Sequence, residues 1–490
     1  MPKLLKRFSF AEKMSACNTL SRKVLKYESS SRYPEIIHEC LPVVIETFAL
    51  LSIEAKEYNN RKLDDIKINK MMQAIWDSSH IALQSNGGQA FGSEVYIMSA
   101  LGLTQFYMQE NYWIKLYRYW RFFTDTTSPV CLAEKFKQQF GTGYSDFLIF
   151  GLYIRLLYLV EKPLPSNIAQ AVLQYLFNER FPYASTRLCL PRDKCIERIQ
   201  YYAGNFEKTE KYLYSLRPLA TFPFILYQKM FWLPLPHLIT TSITSGLLYQ
   251  LTQDNNTLRS EFGKYVLEPY LLSIIKESKL YDEVYGEQRY TGKGNTEARS
   301  PDVLVRKGKD VLFLESKSTV PNLGIRIQND DAIKKSVETI GHYIAQLYRQ
   351  MQHYNQYNPF GKVASDNPDN HWGIVVILED AFIDRDLYYR YAFSELNTIE
   401  GSSIASWIKK HICVASLYEI ETFCYYPQDL ICIMKKRSRE KEYGFSFIHQ
   451  YRDTSNSVNA IEFFSKFKNE TIASLNALSE ELVQKGFFAP

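Results

Sequence analysis

Three charged side chains in the stretch SPDVLVRKGKDVLFLESKS (300–318) are of the types that hydrolyse phosphodiesters: Asp302, Glu315 and Lys317. Two carboxylates brought together can hold a hard divalent cation through oxygen, and a lysine beside them supplies positive charge to a phosphate that is gaining negative charge. Whether they meet is a question of register. Gly308 and Lys309 suit a two-residue hairpin turn with glycine at the first central position. Lys307 then faces Asp310, Val305 faces Leu312, Val303 faces Leu314, and Asp302 faces Glu315. Side chains alternate along a strand, so Lys317 shares the face of Glu315 while the four apolar residues take the other. Two carboxylates about 5 Å apart repel by about 3 kcal/mol at an effective dielectric near 20. A cation between them removes that repulsion, so Asp302 and Glu315 are expected to bind Mg²⁺ or Mn²⁺, with Lys317 at the edge. The competing expectation is a plain ion pair at an exposed strand end, which contributes almost nothing to stability.

The elements that would carry these residues follow from the hydropathy pattern. From the N-terminus to about Gln250 the chain reads as amphipathic helices, an α-helical domain over 1–250 suited to recognition, regulation or partner docking. Within it, QENYWIKLYRYWRFF interleaves aromatics with Lys115, Arg118 and Arg121, a pattern that serves either a nucleic-acid stacking surface or a helix core. A mixed α/β domain is expected over 255–425, in the order helix, three strands, long helix, strand, then a strand turning into a helix. Residues 426–490 are expected to form a small helical appendage. It carries the basic run KKRSREK, in which Lys435, Lys436, Arg437 and Arg439 are candidate phosphate contacts, with a solvated charge run as the alternative.

Composition bounds the function classes. With 46% hydrophobic and 23% charged residues, the chain has the make-up of a folded globular protein. A net charge of +5 neither demands nor excludes a polyanionic partner, so a nucleic-acid site has to be located residue by residue. The eight cysteines are scattered, with no CxxC pair and no zinc-type spacing, as for thiols in a reducing compartment. No apolar run follows the basic N-terminus, and FLIFGLYIRLLYLV is shorter than a membrane span with Arg155 inside it. The expectation is a cytoplasmic protein without a membrane partner.

Pro301-Asp302 followed by Glu315-Ser316-Lys317 resembles the PD-(D/E)XK nuclease superfamily over about 259–424. The resemblance implies an α/β fold with a mixed-sheet restriction-endonuclease-like core, flanked by the helical N-terminal domain and the helical C-terminal region. It implies a Mg²⁺-dependent deoxyribonuclease, an endonuclease of the restriction or antiviral-defence type. Its substrate would be DNA, with RNA open, and the helical half would engage a protein partner or a second copy. Many members add an acid from the preceding helix. Glu261 and Glu268, seven apart and on nearly one helical face, are the candidates, ahead of Glu283 and Glu287. Some members carry a Gln and a Tyr four apart on the following helix, a spacing that Gln350 and Tyr354 match. The alternative function is a nucleic-acid-binding or assembly protein that keeps this fold as a scaffold.

Overall fold

A computed structural model describes residues 5–27, 42–57, 61–85, 95, 98–99, 102–103, 110–160, 164–203, 217–253, 255–326, 329–361, 366–444, 446–453 and 460–488. The chain forms two compact units. One comprises 1–87, 104–256 and 467–490, and the other 88–103 and 257–466. The C-terminal region is therefore not one separate appendage. The helix Leu430–Glu440 is built into the second unit: buried Arg437 donates to Tyr389 Oη at 2.8 Å, and Lys435 pairs with Asp310 at 2.6 Å. No helix among the described residues is long and apolar enough to cross a membrane.

The first unit is mainly helical. Its aromatic-basic segment forms the helix Tyr112–Thr124, which buries Lys115 and Arg118 along with Tyr117, Tyr119, Phe122 and Phe123, so this stripe is core. The apolar helix Tyr144–Leu159 accommodates its arginine by placing the buried Arg155 guanidinium 4.5 Å from the centre of the Tyr112 ring. A three-stranded sheet is also present: Cys189–Pro191 runs parallel to Phe224–Tyr227, which turns back into Met230–Trp232.

The second unit is a mixed α/β structure around a five-stranded sheet. Its strands are β1 (Glu283–Gly286), β2 (Val303–Lys307), β3 (Asp310–Lys317), β4 (His371–Ile377) and β5 (Ile412–Ser416), in the spatial order β5-β4-β3-β2-β1. β1, β2 and β3 are antiparallel neighbours; β4 and β5 add in parallel. The β2–β3 ladder has the register expected from its turn, from Lys307 opposite Asp310 to Val303 opposite Leu314. Gly308 has φ 59°, the sign that the first central residue of a type II′ hairpin turn requires.

β3 is the middle strand, and it is buried continuously from Val311 to Ser316. On one face Val311 and Phe313 pack with Leu304, Val375 and Ile377 against the long helix α2 (Asp330–Gln352), through Ile333, Val337, Ile340, Ile344 and Leu347. A long amphipathic helix between two parallel strands is the connection this geometry needs. The other face carries α1 (Glu268–Glu277) and α3 (Leu417–Tyr425), joined where Tyr270 Oη donates to Glu421 at 2.5 Å.

The Gly308 turn can be tested directly. A Cβ there would meet no atom within 4 Å, so replacing Gly308 changes backbone strain and little else. Gly308→Ala is expected to lower unfolding free energy by about 1 kcal/mol and Gly308→Asn by less, read from urea denaturation at unchanged m-value. Equal stability of all three proteins would remove the turn as the source of the register.

Candidate active site

The hairpin delivers its charged residues to one end of β3. Asp302 lies one step beyond the ladder, and its Oδ2 accepts from Ser316 N–H and from Ser316 Oγ, both at 2.7 Å. This pair of bonds ties the residue before β2 to the last turn of β3. Asp302 is therefore held by Ser316, one residue beyond the last paired rung, Val303 opposite Leu314, and its charge acts on Glu315. Glu315 is 4% exposed. Its Oε1 accepts from Lys317 Nζ at 2.7 Å and from Gln346 Nε2 at 3.2 Å, while its Oε2 is buried with no hydrogen-bond donor. Lys317 Nζ also lies 4.8 Å from the centre of the Tyr343 ring, a cation–π contact. Tyr343 and Gln346 are neighbours at i, i+3 on α2, so one helical face holds both the acid and the lysine.

The preceding helix supplies a third acid. Between Asn256–Phe262 and α1 the chain makes a π-helical segment, Gly263–Leu267. A π-turn adds one residue to the helical path and rotates everything beyond it by about 100° relative to a continuous α-helix. The expected alignment of Glu261 with Glu268 is therefore undone by the backbone, and Glu268 is the acid that feels the charges of Asp302 and Glu315. The π-segment approaches the end of β3 closely: a Cβ on Gly263 would stand 3.2 Å from Ser318 Oγ. Glycine permits that approach.

Electrostatically the cluster is crowded with acid. Burial, followed by the charges of Asp302, Glu287 and Glu315, pushes the Glu268 carboxyl from 4.5 up to about 8, against the pull of Lys317. Burial also raises Asp302 and Glu315, partly offset by the Ser316 hydrogen bonds at Asp302 and by Lys317 at Glu315. For Lys317, burial favours the neutral amine, but Glu315 and Asp302 outweigh it and the ammonium is retained. Each acid thus holds a proton more tightly than it would in water, as expected of buried carboxyls with too little positive charge nearby.

The other candidate residues lie elsewhere. Glu261 is half-buried before the π-segment. Glu283 is paired with Arg306 across β1 and β2, its Oε1 2.9 Å from Arg306 Nε. Glu287 contributes to the field at Glu268 and is 3.5 Å from Arg299. α2 stops at Gln352, so Tyr354 falls in the following 3₁₀ turn. It is 1% exposed, with its ring edge-on to Phe313 and His371, and it is core. Gln350 has a buried, unpaired Oε1 one turn beyond Gln346, and it is Gln346 that reaches Glu315. Lys435 pairs with Asp310 at the turn end of β3, about 23 Å of strand from Lys317. Lys436 stands over Tyr451, Arg437 is buried, and Arg439 Nε contacts the Lys435 carbonyl at 3.4 Å. That basic run does not converge on the acids. Ser316, Tyr343 and Gln346 were not singled out from sequence; Ser316 is the middle residue of Glu-Ser-Lys, and Gln346 is one helical turn from Gln350.

Among the described residues, no group of three or more His, Cys, Asp or Glu side chains is drawn together tightly enough to hold a metal ion as it stands. The donor set nonetheless suits a hard cation. It is all carboxylate oxygen, Glu315 Oε2 is buried without a donor, and every acid in it is short of positive charge. No family model, curated protein or solved structure matches the chain.

The Glu268 shift has a measurable consequence. In the unfolded chain Glu268 loses its proton near pH 4.5, and in the folded protein near pH 8, so between those values the folded state holds the extra proton. Stability from this group is full below about pH 4.5 and is lost as pH rises through about 8. Glu268→Gln mimics the protonated form. In EDTA its Tm should match wild type near pH 5 and exceed it near pH 8. Parallel Tm curves across that range would show Glu268 to be an ordinary solvated carboxyl.

Proposed function

We propose that the second unit is a restriction-endonuclease-like, metal-dependent phosphodiesterase that hydrolyses DNA, with RNA as the second substrate to test. The observation that carries this is the buried, donorless Glu315 Oε2 beside Asp302, Glu268 and the Lys317 ammonium at the end of β3. A buried carboxylate oxygen without a donor is costly, and its placement beside two further acids and a lysine is an arrangement that a cation would relieve. Asp302, Glu315 and Glu268 are the residues that would hold Mg²⁺ or Mn²⁺. When bound, such an ion lowers the pKa of an attacking water and neutralises charge on the phosphate.

The chain's own side chains supply the rest. Lys317 presents a fixed ammonium to the oxygens of the phosphate, where negative charge grows as the water attacks. Gln346 holds Glu315 through Oε1, which keeps Oε2 directed away from α2, and Tyr343 supports the lysine from beneath. Ser316 fixes Asp302 by Oδ2 and so fixes where its other oxygen lies. Preorganisation of this kind lowers the reorganisation needed in the transition state.

Two measurements test the proposal. Mn²⁺ or Mg²⁺ at millimolar concentration should raise the wild-type Tm by mass action, and Asp302→Ala should lose that shift. An equal shift in the variant places the metal elsewhere. Incubation with circular and linear DNA, and with RNA, should give cleavage that requires the metal and stops in EDTA. Lys317→Ala should reduce the cleavage rate by about a hundredfold or more with DNA binding at fixed salt close to wild type, and its Tm in EDTA should fall because buried Glu315 loses its ammonium partner. Wild-type cleavage by Lys317→Ala, or no cleavage under any condition, favours a nucleic-acid-binding or assembly protein built on the same scaffold.

A further inference from the structure

The first unit contains a pocket whose lining is chemically one-sided. It encloses about 340 Å³ and is lined by Gln139, Phe140, Thr186, Arg187, Cys189, Leu190, Arg198, Phe222, Gln250 and Gln253. That set includes two arginines and no acid. Neither Arg187 nor Arg198 has a carboxylate partner among the described residues, whereas Arg192 pairs with Glu57 at 2.6 Å and Arg180 with Glu481 at 3.1 Å. Arg198 instead lies over the Phe222 ring at 4.6 Å.

The elements around the pocket explain why these side chains converge. Arg187 ends the helix Pro182–Arg187, and Cys189 opens the short strand that pairs with Phe224–Tyr227. Arg198 projects from the helix Arg192–Ala203, and Gln250 and Gln253 lie at the end of the helix Leu247–Thr252. Two of the glutamines are already oriented. Gln139 Nε2 donates to the Gln250 carbonyl at 2.8 Å, and Gln250 Nε2 donates to the Thr221 carbonyl at 3.3 Å. With the amide nitrogens so engaged, the side-chain carbonyls are the groups left to accept from a ligand. Burial, with Cys195 nearby, pushes the Cys189 thiol up to about 12, so it remains an uncharged wall of the pocket.

We infer that this pocket binds a 5′-mononucleotide. Two guanidiniums match the charge of a phosphomonoester, about −1.5 to −2 at neutral pH, and their fork geometry suits its oxygens. A single carboxylate would leave one of them unmatched. Phe222 supplies an aromatic wall for a planar ring, and oriented amide carbonyls suit the N–H edge of a base. The volume falls in the range of small-molecule sites. The site is confined to the first unit and does not depend on phosphodiesterase chemistry in the second.

The test uses the full-length protein in EDTA, which keeps divalent cations from the acid cluster. Calorimetry with AMP, GMP, CMP and UMP should show at least one binding with Kd below about 1 mM, with adenosine and inorganic phosphate each at least about tenfold weaker than the best nucleotide. Arg187→Ala with Arg198→Ala should weaken that nucleotide by about tenfold or more, since each removes a charge-assisted hydrogen bond. Both residues are exposed, so the apo Tm of the double variant should stay at the wild-type value. Lys317→Ala should bind the nucleotide as wild type does. The inference is overturned if no mononucleotide binds at about 5 mM, or if the double variant binds within about twofold of wild type. It is equally overturned if the double variant loses affinity for a single-stranded oligonucleotide while mononucleotides never bind, which would make the pocket part of a strand path.

Discussion

A strand buried on both sides has no inexpensive place for a charge, and β3 carries Glu315 inside its buried run. A carboxylate removed from water must be neutralised by a proton, a paired cation or a metal. The surrounding architecture is arranged around that requirement. Lys317 two residues on gives partial neutralisation, Gln346 from α2 satisfies one oxygen, and the remaining oxygen has no protein donor. With Asp302 and Glu268 added, the end of the strand holds protons that water would remove.

Positioning is shared among elements that have other duties. α2 is fixed by a broad apolar contact with the odd-numbered face of β3, and that contact is what sets the height of Tyr343 and Gln346 above the acids. The hairpin fixes Asp302 relative to Ser316 through backbone register, and a single serine converts the register into two hydrogen bonds. Few of the residues that orient the acids are themselves acids. A substitution in the α2 core, such as at Ile344 or Leu347, would act on the site through displacement of the helix and not through loss of charge.

What was legible in the sequence was local and periodic. The turn glycine and the apolar alternation around it define the hairpin, because a positive-φ position and a two-residue repeat are both written in residue type. The three-stranded sheet of the first unit was not legible in the same way. Its hairpin turns through Gln228 and Lys229, both at positive φ, where no glycine or asparagine marks the position. The choice between Glu261 and Glu268 depended on a π-turn, which leaves no mark in a seven-residue spacing. Gln350 and Tyr354 satisfied a spacing rule, but α2 ends before the tyrosine, and the boundary of a helix is set by tertiary packing as much as by its residues. The basic run was visible only as charge. Two of its partners, Asp310 and Tyr389, come from distant parts of the chain.

The π-turn at Gly263–Leu267 also governs how this chain can tolerate insertions and deletions. Losing one residue from the segment would let it relax to an ordinary α-helix, with every backbone hydrogen bond still available. By the usual measures of helix integrity, such a deletion is silent. It would nevertheless swing Glu268 by about 100° away from the hairpin and turn the apolar side of α1 off the sheet. The segment therefore has a fixed length for a reason unrelated to its side chains: residue number here is a phase, and the acid and the packing of α1 share that one setting.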